Sequence, residues 1–135
     1  MLDALLSSHR DVLILLARLL LVALYIMTGW QKMSGFSGTV TYMASLGTPF
    51  PKLATLISII LEFFACIAIA LGVFTRPLAL LLFLFTLGTA LIGHRYWTME
   101  GPDRHENQLN FFKNMSIMGG MLLLAITGAG RFALM

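Results

Sequence analysis

Residues 12–33 read VLILLARLLLVALYIMTGWQKM, an apolar run interrupted by Arg18 and ending close to Lys32. About 20 consecutive apolar residues form an α-helix long enough to cross the hydrocarbon core of a bilayer. The run is longer than the apolar region of a secretory signal peptide, and no small-residue cleavage pattern follows it. The sequence therefore predicts that this segment is a membrane-spanning helix that is retained in the protein.

Three further apolar runs determine the fold class. Of the 135 residues, 59% are hydrophobic and 11% are charged, whereas about 25% of the residues in a soluble domain are charged. Lipid offers no partners for backbone N–H and C=O groups, so apolar segments that cross it must be helical. We predict an all-α, integral membrane four-helix bundle, a single domain over residues 1–135, with spans at about 12–33, 53–74, 78–93 and 111–127.

The segments between the spans are more polar. Residues 1–11 are predicted to form a short polar N-terminal segment, with an interfacial turn of helix as the most structure expected there. Residues 39–46 predict a short helix at the membrane surface, closed by Pro49 and Pro51. Residues 98–108 are the only strongly polar stretch and are predicted to form a loop.

Composition and motifs exclude several classes of function. The net charge of +3 comes from scattered residues and forms no basic run, which argues against nucleic-acid binding. The single cysteine, Cys66, excludes an intrachain disulfide and any multi-cysteine metal site. Haem ligation across a bundle would need two histidines at matching depths, and only His94 lies near a span. We expect no metal, no haem and no self-contained enzyme, because no nucleophile elbow, phosphate-binding loop or zinc motif is present.

Glu62 is the only acidic residue within a predicted span, so it needs a partner. Arg18 is the first candidate, because the two residues would differ in depth by roughly 9 Å in an antiparallel hairpin. Lys32 and Lys113 are the second candidates. Two interpretations remain open: a structural ion pair that locks the bundle, or a pocket for a polar or anionic head group or a quinone ring. A proton or ion path is a weaker third.

Other polar residues share faces with this pair. Arg18, Tyr25 and Lys32 recur at helical spacing on one face of the first helix. His94 ends the third helix and is predicted to be interfacial, with contact to a ligand as the alternative. Met115, Met118 and Met121 predict packing rather than a Cu(I) site. The candidate ligand-binding residues are Arg18, Tyr25, Lys32, Glu62, His94, Lys113 and Asn114.

Short motifs along the chain give a family resemblance. They include Gly29-Trp30-Gln31-Lys32, Leu71-Gly72-Val73-Phe74-Thr75-Arg76-Pro77, Gly93-His94-Arg95-Tyr96-Trp97 and Asn110-Phe111-Phe112-Lys113-Asn114. By their order and spacing, from about Ala17 to Gly130, the chain resembles the DoxX family of small bacterial membrane proteins, particularly its YphA-like inner-membrane members. The resemblance implies a four-helix protein of the bacterial inner membrane.

The resemblance says less about activity. The family takes its name from a subunit of a thiosulfate:quinone oxidoreductase, and other relatives support redox or membrane-protein assembly systems. This chain has one cysteine, so a thiol relay is not carried over. We expect an accessory protein in a membrane redox or envelope process, with a polar pocket for a lipid or quinone and a lipid, quinone or redox protein as partner. The alternatives are an integral subunit of a quinone-linked oxidoreductase and a small transporter or channel.

The oligomeric state is left open by the sequence. Ser58, Ala65 and Gly72 form a stripe of small residues on the second span, and such stripes allow helices to pack closely. The stripe predicts either the sealing of the bundle itself or the contact surface of a homo-oligomer.

Overall fold

The computed structural model describes residues 1–135, and all of its regular structure is helical. Four segments are long and apolar enough to cross a membrane, which confirms the predicted fold class. The second span is continuous from Pro51 to Leu71 and includes a π-helical segment. The helices are α1 (Leu2–Ser8), α2 (Arg10–Ser34), α3 (Phe36–Ser45), α4 (Pro51–Ile59), the π-helix (Ile60–Ala65), α5 (Cys66–Leu71), α6 (Thr75–Gly93), a 3-10 turn (Tyr96–Thr98) and α7 (Gly101–Thr127).

The outer surface of the bundle is apolar. Leu20, Leu123 and Ile126 are 68%, 64% and 65% exposed, respectively. A water-soluble protein rarely shows such a continuous apolar surface, but in a bilayer these side chains contact lipid. Exposure of large apolar residues therefore agrees with the four spans.

The polar stretch of residues 98–108 is mostly helical rather than a loop. The helix α7 begins at Gly101, with Pro102 in its first turn, where the missing N–H is tolerated, and with Asp103 placed favourably near the helix N-terminus. Hydropathy shows where a helix enters lipid but not where it begins. The predicted fourth span, residues 111–127, lies within α7, and the polar turns that precede it in the helix were not predicted.

The second span ends at Gly72 in a left-handed conformation. Gly72 has φ +79°, and the Val73 N–H donates to the Ala68 carbonyl at 2.8 Å, which is a Schellman motif. A β-carbon at Gly72 would also stand 2.6 Å from the Cα of Ala133. Glycine is thus required here both by the backbone angle and by the close approach of the C-terminal segment.

The C-terminal segment, residues 128–135, folds back onto the end of the bundle. The N–H groups of Leu134 and Met135 donate to the carbonyls of Leu71 and Gly72 at 3.0 and 3.2 Å. Arg18, which is only 1% exposed, lies between the bundle and this segment. Its guanidinium donates to the carbonyls of Ala129, Phe132 and Ala70 at 2.5, 2.7 and 3.2 Å.

An apolar core fills the bundle next to Arg18. Eight buried side chains from all four spans form it, so it closes the space between the helices over several turns. Ser58 and Ala65 of the small-residue stripe are buried within this chain at 3% and 8% exposure. The stripe therefore seals the bundle. The core residues are Val22, Tyr25, Cys66, Ile69, Ala79, Leu82, Met121 and Leu124.

Candidate functional site

Glu62 pairs with Lys32 inside the bundle. The Lys32 Nζ lies 2.6 Å from Oε2 and 2.7 Å from Oε1 of Glu62, and the Thr28 hydroxyl donates to Oε1 at 2.6 Å. The Glu62 side chain is 5% exposed and that of Lys32 is 26% exposed. Two donor groups thus make three hydrogen bonds to one buried carboxylate, which satisfies its charge and most of its hydrogen-bonding capacity.

Arg18 was the expected first partner of Glu62, and this prediction is wrong. Gly29 lies directly against Phe63, so Glu62 sits beside the Thr28 turn of α2. Along α2 that turn is about ten residues, or about 15 Å, from Arg18. Lys32 is one turn away and its flexible stem reaches the carboxylate, whereas Arg18 binds backbone carbonyls at the other end of the bundle.

The π-helix (Ile60–Ala65) contributes to this arrangement. A π-turn holds more residues than an α-turn and often occurs at functional sites. Here its backbone contacts α2 at Gly29, where a β-carbon would stand 2.8 Å from the Phe63 nitrogen and 3.0 Å from the Glu62 carbonyl carbon. The glycine lets the two backbones meet and so brings Glu62 to Thr28 and Lys32.

A polar cavity of about 170 Å³ adjoins the ion pair. Six of the seven candidate residues line it, and Arg18 does not. Thr86 was expected on the inward face of the third helix, whereas Thr28 and Thr89 of the cavity wall were missed, although Thr28 lies one helical turn from Lys32 and that spacing was available as a signal. The lining residues are Leu24, Tyr25, Thr28, Lys32, Glu62, Phe85, Thr86, Thr89, His94, Lys113, Asn114 and Ile117.

Two groups from α7 present hydrogen-bond donors to the cavity. Asn114 is 9% exposed and its side-chain amide makes no hydrogen bond within the protein. Lys113 has one weak contact, 3.5 Å from Nζ to the Oδ1 of Asn110, and no carboxylate partner. The amide and the ammonium therefore remain free to bond with whatever occupies the cavity. The cavity wall formed by α7 is therefore suited to bind acceptor oxygens.

Tyr25 and Thr86 close the cavity toward the apolar core. Their hydroxyl groups share a hydrogen bond between α2 and α6. Tyr25 is 7% exposed and Thr86 is 2% exposed. Tyr25 also belongs to the core cluster, so it marks the level at which the polar interior changes to a packed apolar one.

His94 lies where the cavity meets a second, more apolar space. Its Nδ1 is 2.9 Å from the Oδ1 of Asn107 on α7. The second space is a groove of about 370 Å³ between α3, α4 and α6, lined in part by Met43, Ile57 and Ile92. Four residues line both spaces, and they define their junction: Lys32, Phe85, Thr89 and His94.

The short helix α3 forms the outer wall of this groove. It extends over Phe36–Ser45 and was predicted over residues 39–46. The Arg95 guanidinium donates to the Leu46 carbonyl at 3.0 Å, which ties the end of α3 to the segment after α6. Beside that segment, Tyr96, Trp97, Phe111 and Phe112 stack edge to face as an aromatic cluster, as expected at a membrane–water boundary.

Comparisons with known proteins agree with this architecture. The DoxX family profile matches residues 13–95. The inner membrane protein YphA of Escherichia coli is 55% identical over 128 residues, which cover 95% of this chain and 91% of YphA. The inner membrane protein YqjF of the same organism is 44% identical over 125 residues, covering 93% of this chain and 91% of YqjF.

A more distant likeness is found in a eukaryote. A Surfeit locus protein 4 homolog of Schizosaccharomyces pombe is 33% identical over 76 residues, 55% of this chain and 25% of the yeast protein. No solved structure matches the chain. The family match, the two inner-membrane relatives and the four apolar spans lead to one conclusion: the chain belongs to the DoxX family and is a multi-pass protein of the inner membrane.

Proposed function

We propose that this protein binds a membrane amphiphile, a lipid or a quinone, and acts as an accessory protein in a membrane redox or envelope process. The head group lies in the polar cavity, and the tail follows the groove beneath α3. One observation carries the proposal: a polar cavity lined by Asn114, whose amide makes no hydrogen bond within the protein, adjoins an apolar groove between the helices.

The sizes of the two spaces support an amphiphile. The cavity of about 170 Å³ is smaller than the roughly 300–1,000 Å³ typical of pockets for a whole small molecule. It suits a head group alone. The adjoining groove, about 370 Å³ and mainly apolar, provides room for the first part of a tail. A purely polar metabolite would leave this groove unfilled.

The charges of the cavity support a head group with acceptor oxygens. Lys32 and Glu62 neutralise each other, so Lys113 contributes the remaining formal charge on the wall. Asn114 adds amide donors beside it. Quinone carbonyls and lipid phosphates both present acceptor oxygens, and hydrogen bonds from a charged donor are stronger than neutral ones.

The two alternative functions make different demands on the same site. A subunit of a quinone-linked oxidoreductase would use the site for a quinone and would require a partner that carries electrons. A transporter or channel would need a path through the bundle, yet Tyr25, Thr86 and the apolar core close the cavity on its inner side. The ligand-binding proposal requires no opening of that core.

Native mass spectrometry of the detergent-extracted protein, followed by solvent extraction of the bound molecule, tests the proposal. We expect one bound amphiphile per chain, lost in a Lys113→Met/Asn114→Leu variant because both donors are removed. Lys52→Met is the matched control, since Lys52 is an exposed lysine outside the cavity and the groove. A quinone as the extracted molecule, together with a co-purified dehydrogenase, would favour the oxidoreductase alternative.

Two results would contradict the proposal. The first is a folded protein that carries no amphiphile at stoichiometric amount. The second is equal retention of the amphiphile by the double variant and by the Lys52→Met control, because the ligand would then bind outside the cavity. Flux of protons or anions through reconstituted vesicles that depends on Tyr25 would point to transport instead.

A further inference from the structure

His94 is held by a chain of hydrogen bonds that fixes the position of its proton. The Nδ2 of Asn107 donates to the Asp103 carbonyl at 2.9 Å, which turns the Oδ1 of Asn107 toward the ring of His94. That Oδ1 lies 2.9 Å from Nδ1 of His94. Because Oδ1 can only accept, Nδ1 must carry the hydrogen.

The other ring nitrogen is therefore an acceptor. In the neutral imidazole one nitrogen donates and the other accepts. With the hydrogen on Nδ1, the Nε2 of His94 carries a lone pair and makes no hydrogen bond within the protein. The ring lines both the cavity and the groove, so a ligand that fills the junction meets this lone pair.

The cavity is consequently polarised. The α7 wall presents the Lys113 ammonium, which only donates, and the Asn114 amide, which donates through Nδ2 and accepts through Oδ1, while the end of α6 presents the His94 Nε2, which only accepts. The Glu62 oxygens are already engaged by Lys32 and Thr28. A ligand must satisfy both kinds of wall to avoid leaving a desolvated polar group without a partner.

We propose that the head group bound here carries a hydroxyl donor beside acceptor oxygens, and that His94 selects for the hydroxyl. This inference rests on the proposed function and names the chemistry of its ligand. Two membrane molecules have that chemistry: a hydroquinone, as distinct from its quinone, and a lipid with free hydroxyls next to its phosphate, such as phosphatidylglycerol. Only binding is involved, so no electron or proton transfer is required.

Other head groups fit less well. A quinone has acceptors only, and its second carbonyl would face the lone pair of His94. An ethanolamine head group offers a donor, but its positive charge would face the Lys113 ammonium across a small cavity. Asn107 acts only through His94, because it lines neither the cavity nor the groove, and it is a positioning residue.

Competition binding to the full chain, delipidated in detergent, tests the inference with two matched pairs of probes. One pair is a short-chain benzohydroquinone and its benzoquinone. The other is phosphatidylglycerol and phosphatidylmethanol, which keeps the phosphate charge and lacks the hydroxyls. We expect the hydroxylated member of at least one pair to bind about tenfold more tightly, the size of one hydrogen bond and its desolvation. The pair that shows this preference identifies the source of the ligand.

Variants of the hydrogen-bond chain provide the second readout. His94→Phe and Asn107→Leu should bring the ratio of affinities close to one, and His94→Gln, whose side-chain oxygen accepts, should restore part of it. His105→Phe is the matched control, because His105 is exposed on α7 and lies outside the cavity. Equal affinity for both members of both pairs would overturn this inference alone, and failure of all four probes to bind would overturn the proposed function as well.

Discussion

Gly29 lies against Phe63 so closely that a β-carbon on the glycine would stand 2.8 Å from the Phe63 backbone nitrogen and 2.9 Å from its Cβ. The contact joins α2 to the π-helix (Ile60–Ala65) one residue after Glu62. It explains why a glycine precedes Lys32 by three residues in the Gly-Trp-Gln-Lys motif. Gly29 allows the two backbones to approach closely, and at this separation the Lys32 side chain reaches the Glu62 carboxylate.

Gly29→Ala is therefore expected to damage the site. The added methyl group has no space against the π-helix backbone, and overpacking of this kind costs about 1–3 kcal/mol. We expect lower thermal stability in detergent and reduced retention of the bound amphiphile. Gly119→Ala is the control, because a β-carbon there meets no atom within 4 Å. Equal effects of the two substitutions would show that the contact does not position Glu62.

The ion pair gives a second prediction, tested by a single variant and a double variant. Lys32→Met should destabilise the protein by about 3–5 kcal/mol, since it leaves the Glu62 carboxylate buried with Thr28 as its remaining partner. Lys32→Met/Glu62→Leu should recover most of that loss, because no buried charge remains. Unfolding by denaturing detergent measures both. A double variant that is as unstable as the single one would mean that the pair has a structural role beyond neutralising the acid.

Arg18 gives a third prediction at the other end of the bundle. Arg18→Met removes a charged donor from three carbonyls, and each such hydrogen bond contributes about 1.5–3 kcal/mol, although the contributions are not additive. We expect residues 128–135 to detach, seen as faster hydrogen exchange at the amides of Leu134 and Met135. Arg131→Met is the control because its side chain is exposed and makes no hydrogen bond. Unchanged exchange in Arg18→Met would contradict the role assigned to Arg18.

Tyr25 gives a fourth prediction at the closed side of the cavity. Tyr25→Phe leaves the buried Thr86 hydroxyl without its partner on α2, which should cost about 1–3 kcal/mol. Thermal unfolding in detergent measures the loss, and Tyr42→Phe serves as a control because Tyr42 is 58% exposed. A Tyr25→Phe protein as stable as the control would indicate that water already satisfies Thr86.

The fold was predictable from hydropathy because every apolar segment that crosses lipid must satisfy its own backbone hydrogen bonds and is therefore helical. Three of the four predicted spans fall within the long helices, and the second, predicted over 53–74, overruns its helix, which ends at Leu71. The polar first turns of α7 were missed because they lack apolar character, and the π-helix was missed because hydropathy does not distinguish a π-turn from an α-turn. A π-turn depends on how two backbones meet at Gly29, and that contact cannot be read from one segment alone.

The residues of the candidate site could be selected from charge and helical spacing, but the partner of Glu62 could not. Six of the seven candidate residues line one cavity because ionisable and polar groups in spans turn away from lipid. The partner of Glu62 was assigned wrongly because depth was estimated from helix lengths. In the structure Gly29 packs against Phe63, so Glu62 lies at the level of Thr28 and Lys32 rather than near Arg18.

The π-helix also affects how this protein can evolve. A π-turn accommodates one residue more than the α-turn it replaces, so loss of one residue there would convert the segment to a regular α-helix. If one residue were deleted from Ile60–Ala65, Ser58 before the π-helix and Ile69 after it would still face the residues against which they now pack. The deletion would change which side chain faces Thr28 and Lys32. We therefore expect a single-residue deletion in this segment to alter the chemistry of the cavity more than it disturbs the packing of the rest of the bundle.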